Sequence, residues 1–494
     1  MTPAGNVADL VSVAAQRGPD HPAFIDASTG ATLNWRQFDA LTSAEARRLI
    51  GVGVAPGDRV AVRLPTSPEF CVAVFGALRA GAVVVPVSPS APVRELARIV
   101  EDSGSRVLVG EGGGVPTVLP PPPVEGVEGQ EPLGSVRGGE HIAVLAYTSG
   151  TSGVPRGAML SHRALLANVS QCAALRPAPV TAADRVLLAL PLFHSYGLGP
   201  GLFQVAAAGA TAVLLERFEA ERAVDVIERH RVTTVVGVPP MYQAMLQVGA
   251  ARLREAFMTV RLLTSGAAPL GPALLDAVEH ATTLPVYEGY GLTETAPVLT
   301  STLVGGKPKA GSVGKPLPGV ELRLVDNDGQ PFVEDEELEF PDDDAGLVSV
   351  RGANLFSGYW PDGAHGPDAE GWFRTGDVGY LDPDGDLHLV DRAGDLIIVN
   401  GFNVYPHEVE KVLAELPQVA EAAVVGIPDE STGEAVKAVL VLGADARLST
   451  EDVLAHCTEH LAKFKVPVSV EFTDVLPHSP TGKLVRSRLR LPQD

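Results

Sequence analysis

Apolar and polar positions alternate along most of the chain between short β-rich runs and amphipathic stretches. The β-rich runs of strand length occupy residues 59–64, 82–87, 106–109, 185–190, 212–215, 233–238, 260–264 and 284–287. Helical spacing of apolar residues appears between them at 69–80, 94–102, 220–229, 240–248 and 273–280. Strands that alternate with helices predict an α/β fold with layered, largely parallel sheets.

The pattern changes after residue 391. Residues 395–494 show a helix at 406–415, strands at 420–426 and 436–442, and a helix at 450–461. We therefore predict a large N-terminal domain over 1–391, a hinge at 392–394 with Gly394 as its pivot, and a small mobile α+β domain over 395–494. Residues 112–140, rich in glycine and proline, are predicted to be a flexible connector.

Composition narrows the function classes. The formal net charge of −22 argues against a general nucleic-acid binder. Residues 451–494 nevertheless carry six acids and six bases, which leaves room for a local basic patch there. The three cysteines match no metal or disulfide spacing, and no signal peptide or membrane span is predicted, so we expect a cytoplasmic protein. The eight acids between 334 and 344 are interpreted as a solvated loop.

The segment 147–157 carries the most chemical information. It reads Tyr-Thr-Ser-Gly-Thr-Ser-Gly-Val-Pro-Arg-Gly and directly follows the apolar run 142–146. Its glycines let backbone N–H groups turn toward an anion, and its hydroxyls and cation suit a polyphosphate. It is not the P-loop of NTPases, because Pro155 and Arg156 stand where that loop needs Gly-Lys. The expected phosphate ligands are Thr148, Ser149, Gly150, Thr151, Ser152, Gly153 and Arg156.

An amphipathic run at 158–168 follows this segment. A strand, the loop and a helix would then come in the order that a phosphate site at a helix N-terminus needs. A Ser/Gly-rich surface loop is the alternative interpretation. The loop resembles the signature of the adenylate-forming superfamily, which includes acyl-CoA synthetases, firefly luciferase and the adenylation domains of peptide synthetases. The resemblance extends from about Asp20 to Arg490, with several motifs in the family's order.

A second motif, Tyr-Gly-Leu-Thr-Glu-Thr at 290–295, follows the predicted strand 284–287. Ligands of open α/β sheets bind beyond the carboxyl ends of the strands, where a carboxylate can bind Mg²⁺. An ordinary helix cap is the alternative. The resemblance implies that Thr293 contacts the α-phosphate of ATP and that Glu294 binds Mg²⁺; Thr148 is the second predicted metal ligand. Tyr290 and Gly291 are assigned to the nucleotide site.

Two further segments resemble the parts of the family that hold the nucleoside. Small residues at 265–269 would let a flat ring approach the backbone, although a plain strand–turn–helix has the same pattern. A carboxylate at 377 would accept from two ribose hydroxyls, unless it only forms a turn. The resemblance assigns adenine to Gly266, Ala267 and Ala268, and the ribose to Asp377 with help from Arg392.

Lys483 lies in a Pro-Thr-Gly-Lys sequence that resembles the family's last motif, from Pro477 to Arg486. Its charge would stabilise the transition state at the α-phosphate, whereas a solvated lysine of the tail is the alternative. Gly401 would face the pantetheine of CoA. His194 would line the acyl entrance, unless it is a buried histidine with satisfied hydrogen bonds.

The resemblance implies an AMP-forming acyl-CoA synthetase that uses ATP, Mg²⁺ and CoA. A medium- or long-chain fatty acid is the first predicted substrate and an aryl acid the second. Alternatives are an acyl-AMP ligase that loads a carrier protein and an inactive nucleotide-binding relative. Three positions depart from the family's pattern: Arg156 replaces lysine, Leu347 stands where glutamate is usual, and Gly394 where lysine or aspartate is usual.

Overall fold

The computed structural model describes residues 5–125, 132–148, 155–326, 328–331, 345–392, 395–399, 402–429, 432–444, 446–478 and 484–489. By its internal contacts the chain divides into a first unit of Met1–Glu321 and Val350–Phe373 and a second unit of Leu322–Ser349 and Arg374–Asp494. The predicted limits at 391 and 395 stay a prediction.

The strands, in chain order, are β1 (Pro22–Asp26), β2 (Thr32–Asn34), β3 (Arg59–Arg63), β4 (Val83–Pro86), β5 (Val107–Gly110), β6 (Thr117–Leu119), β7 (Ile142–Thr148), β8 (Arg156–Ser161), β9 (Arg185–Leu188), β10 (Thr211–Leu214), β11 (Thr234–Gly237), β12 (Leu262–Ser265), β13 (Val286–Gly291), β14 (Val298–Ser301), β15 (Lys315–Pro316), β16 (Val320–Val325), β17 (Gly346–Gly352), β18 (Trp372–Leu381), β19 (Leu387–Arg392), β20 (Ile397–Val399), β21 (Phe402–Val404), β22 (Val419–Asp429), β23 (Gly433–Leu442) and β24 (Ser469–Phe472).

The α-helices are α1 (Asp9–Arg17), α2 (Trp35–Gly51), α3 (Pro68–Arg79), α4 (Val93–Ser103), α5 (His162–Ala173), α6 (Gln204–Ala208), α7 (Ala220–Arg229), α8 (Pro239–Leu246), α9 (Ala250–Ala256), α10 (Pro272–Thr282), α11 (Pro406–Leu413) and α12 (Thr450–His460). A π-helical turn spans Gly197–Phe203, and short 3₁₀ turns cover Phe257–Thr259, Thr293–Thr295, Lys463–Lys465 and Arg486–Arg488.

Two sheets organise the first unit. Nine described strands form the order β15-β14-β13-β12-β11-β9-β10-β1-β2, and six form β6-β5-β3-β4-β7-β8. The central pairs of both sheets are parallel, and antiparallel pairs occur toward their edges. The sheets are largely parallel because helices connect successive strands, which buries β4 and β11 completely. The predicted α/β class is confirmed.

Local sequence explains the helices between these strands. In α4, Leu96, Ile99 and Val100 share one buried face at helical spacing. The helix ends at Gly104, whose φ of +59° lies in the left-handed region that terminates helices. Helix α3 begins after Ser67, whose hydroxyl accepts the Phe70 N–H at 3.3 Å.

The second unit has its own core. Of its described strands, β21, β20, β23 and β22 form one sheet in that order, with β24 paired to β23. Val409 of α11 and Val453 and Cys457 of α12 pack in one buried cluster with residues of this sheet. Most of a further sheet, in the order β16-β17-β18-β19, also belongs to this unit. The small α+β domain expected from sequence is present.

Three sequence-based expectations need correction or limitation. The strand predicted to end at Tyr287 continues to Gly291, because the antiparallel β14 pairs with its second half. The predicted connector contains β6, which pairs with β5. The acidic segment 334–344 lies outside the described residues.

Cys71, Cys172 and Cys457 are free and buried. Among the described residues, no helix has the length and apolar composition that a bilayer crossing requires.

Candidate active site

The two ends of the predicted phosphate segment face each other across a strand pair. Thr148 ends β7, Arg156 begins β8, and the two residues are paired in antiparallel register. The expected strand–loop–helix order is therefore wrong: a second strand follows the loop, and α5 begins only at His162, capped by the Ser161 hydroxyl. Residues 157–161 form a buried strand because they complete the sheet beside β7. The expected ligands Ser149, Gly150, Thr151, Ser152 and Gly153 lie outside the described residues.

The Thr293–Thr295 turn directly follows β13 and presents the predicted metal ligand. The Thr295 hydroxyl accepts the Leu292 N–H at 3.0 Å, which fixes the start of the turn. Thr293 Oγ1 lies 3.2 Å from Ser195 Oγ. Glu294 is 9% exposed, and its Oε1 accepts a hydrogen bond from the Tyr359 hydroxyl at 2.6 Å. No hydrogen bond to Oε2 of Glu294 is found among the described residues. This oxygen and its hard carboxylate chemistry fit Mg²⁺.

Tyr359 is the residue of this site that sequence analysis missed. The Tyr359 backbone forms an isolated β-bridge with Ala158 of β8. The guanidinium carbon of Arg156 lies 5.4 Å from the centre of the Tyr359 ring. The phenol therefore links Arg156 to Glu294. Gly358 makes this placement possible, because it has a φ of +93° and an added Cβ would lie 2.1 Å from the Gly363 carbonyl oxygen. We call Arg156, Ser195, Thr293, Glu294 and Tyr359 the carboxylate corner.

The predicted adenine segment turns sharply after β12. Gly266 is buried against the ring of Tyr196, where an added Cβ would lie 3.0 Å from Cζ. Ala267 adopts a φ of +66°, in the left-handed region that non-glycine residues rarely occupy. It is exposed, and Ala268 is half-buried. This segment therefore combines a sharp backbone turn with small side chains, and its predicted contact with adenine stays a prediction.

Glu288 supports the adenine segment from β13. Its Oε1 accepts the Leu270 N–H at 3.0 Å, and its residue pairs with Ser265 in parallel register. Burial raises the pKa of this carboxyl to about 8, well above its ordinary value of 4.5. Further along the same strand, Tyr290 and Gly291 are the residues of β13 next to the carboxylate corner.

His194 lies beside the carboxylate corner, one residue before Ser195. Its Nδ1 accepts the Tyr196 N–H at 3.2 Å, so the ring is tied to its own turn. Gly197 closes this turn, since an added Cβ would lie 2.4 Å from the Pro191 carbonyl oxygen. The ring is half-buried, and its predicted role at an acyl entrance stays a prediction.

Other predicted site residues belong to the second unit. Asp377 of β18 is buried, and its backbone N–H donates to the Thr375 hydroxyl at 3.1 Å. Its backbone pairs with Arg392 of β19, whose side chain is outside the described part. Gly394, Gly401 and Lys483 are also outside it.

Two family descriptions match this chain. Residues 11–360 match the family described as AMP-binding enzyme, and residues 408–483 match the AMP-binding enzyme C-terminal domain. The chain belongs to the AMP-binding enzyme family. The resemblance to the adenylate-forming acyl-CoA synthetases is thereby confirmed, as is the prediction of an acid–thiol ligase that forms AMP.

Curated relatives of this AMP-binding enzyme are similar over almost their whole length. A long-chain-fatty-acid–CoA ligase of Yersinia pestis is 34% identical, with 98% of this chain and 93% of the relative covered. A feruloyl-CoA synthase of an Amycolatopsis species is 36% identical, with 93% and 94% covered. Among solved structures, ATP-bound MatB from Rhodopseudomonas palustris superimposes with a TM-score of 0.88 at 32% identity, covering 98% of each chain.

A largely apolar cavity of about 60 Å³ lies in the first unit of this AMP-binding enzyme, which we call the acid cavity. Residues of α5, the π-helical turn, α6 and strands β11 to β14 line it, among them Tyr196, the neighbour of Ser195 in the carboxylate corner. Tyr287 and Gly289 of β13 line it as well. Burial raises the pKa of the Tyr196 phenol, so this group stays neutral.

Proposed function

We propose that this enzyme activates a carboxylic acid with ATP to an acyl-AMP and pyrophosphate, and then transfers the acyl group to the thiol of CoA. The carboxylate corner carries the proposal. Glu294 has one oxygen held by Tyr359 and one oxygen without a hydrogen bond among the described residues. The Tyr359 ring faces the guanidinium of Arg156, and the hydroxyl of the neighbouring Thr293 lies against Ser195. Such a set suits a metal-bound polyphosphate better than an ordinary helix cap.

We assign roles to individual residues from this arrangement together with the family resemblance. Arg156 and Thr148, at the two ends of the phosphate segment, would bind the phosphates of ATP. Thr293 would donate to the α-phosphate, and Glu294 with Thr148 would hold Mg²⁺. When bound with ATP, Mg²⁺ supplies positive charge beside the phosphates. Adenine would lie on the segment 266–268, and the ribose on Asp377 with Arg392.

The second half-reaction depends on residues of the second unit. Lys483 would bring a cation to the α-phosphate during adenylation, and Gly401 would face the pantetheine afterwards. A hinge at 392–394 would allow the small domain to serve both steps, with Gly394 as its pivot. The family's usual charge is absent at this pivot, since glycine stands there.

The class of acid is fatty or aryl. A medium- or long-chain fatty acid, the first choice from sequence, stays a prediction. The relatives do not separate the two classes, because a fatty-acid ligase and a feruloyl-CoA synthase are similar to this chain to nearly the same degree. We propose free CoA as acceptor and the cytoplasm as location, where three buried free cysteines stay reduced.

The test measures the two half-reactions separately on a Lys483→Ala variant. Adenylation, measured as ATP–pyrophosphate exchange, should slow by on the order of a hundredfold or more because charge stabilisation in the transition state is lost. Thioester formation from supplied acyl-AMP should fall much less. Lys463→Ala is the matched control, since Lys463 is an exposed lysine of the same unit.

Equal losses in both half-reactions would show that Lys483 has a structural role. Absence of pyrophosphate exchange in the wild type would favour the inactive relative. Thioester formation with a phosphopantetheinyl protein but not with free CoA would favour the ligase that loads a carrier protein.

A further inference from the structure

Two residues that line the acid cavity each carry a buried polar atom that has no hydrogen-bond partner in the described part of the chain. Gln204 begins α6 and is 2% exposed, and Ser265 ends β12 and is 1% exposed. Neither Oε1 of Gln204 nor Oγ of Ser265 has a hydrogen-bond partner among the described residues. Buried polar groups in folded proteins are nearly always hydrogen-bonded, so two exceptions in one wall require an explanation.

The other polar side chains of this wall do not share this feature. The Ser301 hydroxyl donates to the Glu288 carbonyl at 3.3 Å, and the Thr234 hydroxyl to the Pro179 carbonyl at 3.5 Å. The Tyr287 hydroxyl donates to the Gly306 carbonyl at 3.4 Å. These three hydroxyls that line the cavity therefore have hydrogen-bond partners within the protein, unlike Oε1 of Gln204 and Oγ of Ser265.

We propose that the acid bound by this enzyme carries a hydroxyl group on its apolar body, and that Gln204 and Ser265 bind this hydroxyl. Its O–H would donate to Oε1 of Gln204, and its oxygen would accept from the Ser265 hydroxyl. A phenolic acid is the compact member of this class and suits a small cavity. This inference rests on the proposed function and reverses the order of the two acid classes expected from sequence.

Physical reasons favour this class over saturated fatty acids. In the free enzyme both atoms are buried without a partner among the described residues. A hydroxyl of the substrate would supply the missing hydrogen bonds, whereas an alkyl chain would leave two buried groups unpaired. A site that is built to hydrogen-bond a hydroxyl discriminates against the analogue that lacks it.

The test uses matched acids with ATP, Mg²⁺ and CoA. Acids that differ by one hydroxyl, 4-hydroxycinnamate and cinnamate, are compared by kcat/KM for pyrophosphate release, with octanoate and hexadecanoate as fatty acids. The hydroxylated acid should be preferred over cinnamate at least tenfold, or ~1.4 kcal/mol. Both fatty acids should be poorer substrates than 4-hydroxycinnamate.

Variants locate the source of the preference. In Gln204→Met, which keeps the side-chain length, the ratio between hydroxylated and unhydroxylated acid should fall toward one. Ser265→Ala should reduce the same ratio. Thr234→Val is the matched control, because this hydroxyl lines the cavity but already has a partner. It should change kcat/KM for both acids by the same factor.

Thermal stability gives a second measurement that needs no substrate. Since Oε1 has no partner, Gln204→Met should leave the Tm of the free enzyme unchanged or raise it. A lowered Tm, an equal preference for cinnamate, or an unchanged ratio in both variants would overturn the inference while the proposed function stands. No pyrophosphate release with any acid would overturn the proposed function and this inference together.

Discussion

The carboxylate corner and the acid cavity lie in the same unit, yet they treat buried polar groups in opposite ways. In the corner, Glu294 and Thr293 have partners on segments distant in the chain, Tyr359 and Ser195. In the cavity, Oε1 of Gln204 and Oγ of Ser265 have none among the described residues. Under the proposed function, the groups for the constant ligand, ATP, are arranged in advance, whereas those for the variable acid are left for that acid to satisfy.

Partnered and unpartnered polar groups also differ in their energetic cost. A hydrogen bond to a charged group contributes about 1.5–3 kcal/mol, and the bond from Tyr359 holds the Glu294 carboxylate before any ligand arrives. Groups that are already fixed lose little further freedom when a ligand binds. A buried amide oxygen without a partner costs stability until a ligand hydrogen-bonds to it.

Between these two regions, the largest expected effect is that of Glu294→Gln, which removes from the corner the charge that we propose binds Mg²⁺. Pyrophosphate exchange should fall by on the order of a hundredfold, and the Mg²⁺ concentration for half-maximal rate should rise, because a hard anionic ligand becomes a neutral amide. The measurement is pyrophosphate exchange against Mg²⁺ concentration. Glu279→Gln, an exposed position on α10, makes the same charge change as a control. Unchanged Mg²⁺ dependence would leave Glu294 as a simple turn residue.

A smaller effect is expected from Tyr359→Phe, which deletes one hydroxyl and keeps the ring that faces Arg156. Exchange should fall about tenfold with a raised Mg²⁺ requirement, because the carboxylate loses its fixed orientation. In the double variant with Glu294→Gln, the two losses should not add, since both act on one metal site. Full additivity, or unaltered Mg²⁺ dependence, would show that Tyr359 does not position the carboxylate.

The smallest effect concerns Glu288, which lies on β13 between Tyr287 and Gly289 of the cavity wall. Because its pKa is about 8 when folded and ordinarily 4.5, the folded state binds the extra proton within that pH range. The protonated Glu288 carboxyl contributes its full stabilisation of the folded state below pH 4.5, and this stabilisation is lost as pH rises through about 8. Glu288→Gln should therefore gain Tm relative to wild type from pH 5 to 8. A Tm difference independent of pH would contradict this assignment.

Much of the fold was predictable from sequence, because burial of whole strands produces continuous apolar runs. The runs at β3, β4, β5 and β9 were located to within two or three residues at each end. Helix α7 was predicted with its observed limits. Strand ends were less predictable, as β13 shows, because pairing with β14 rather than local composition extends it. The same reason explains the strand β8 in place of a helix.

The sequence by itself determined the alternation of strands and helices, the family motifs and the position of Glu294 after a strand. These properties are local: they depend on periodicity and on residue types within a few positions. Only the tertiary structure decided that Tyr359, 65 residues from Glu294, holds its carboxylate, and that Gln204 and Ser265 share one cavity wall. Such contacts depend on sheet order and on the path of distant segments, which no local pattern encodes.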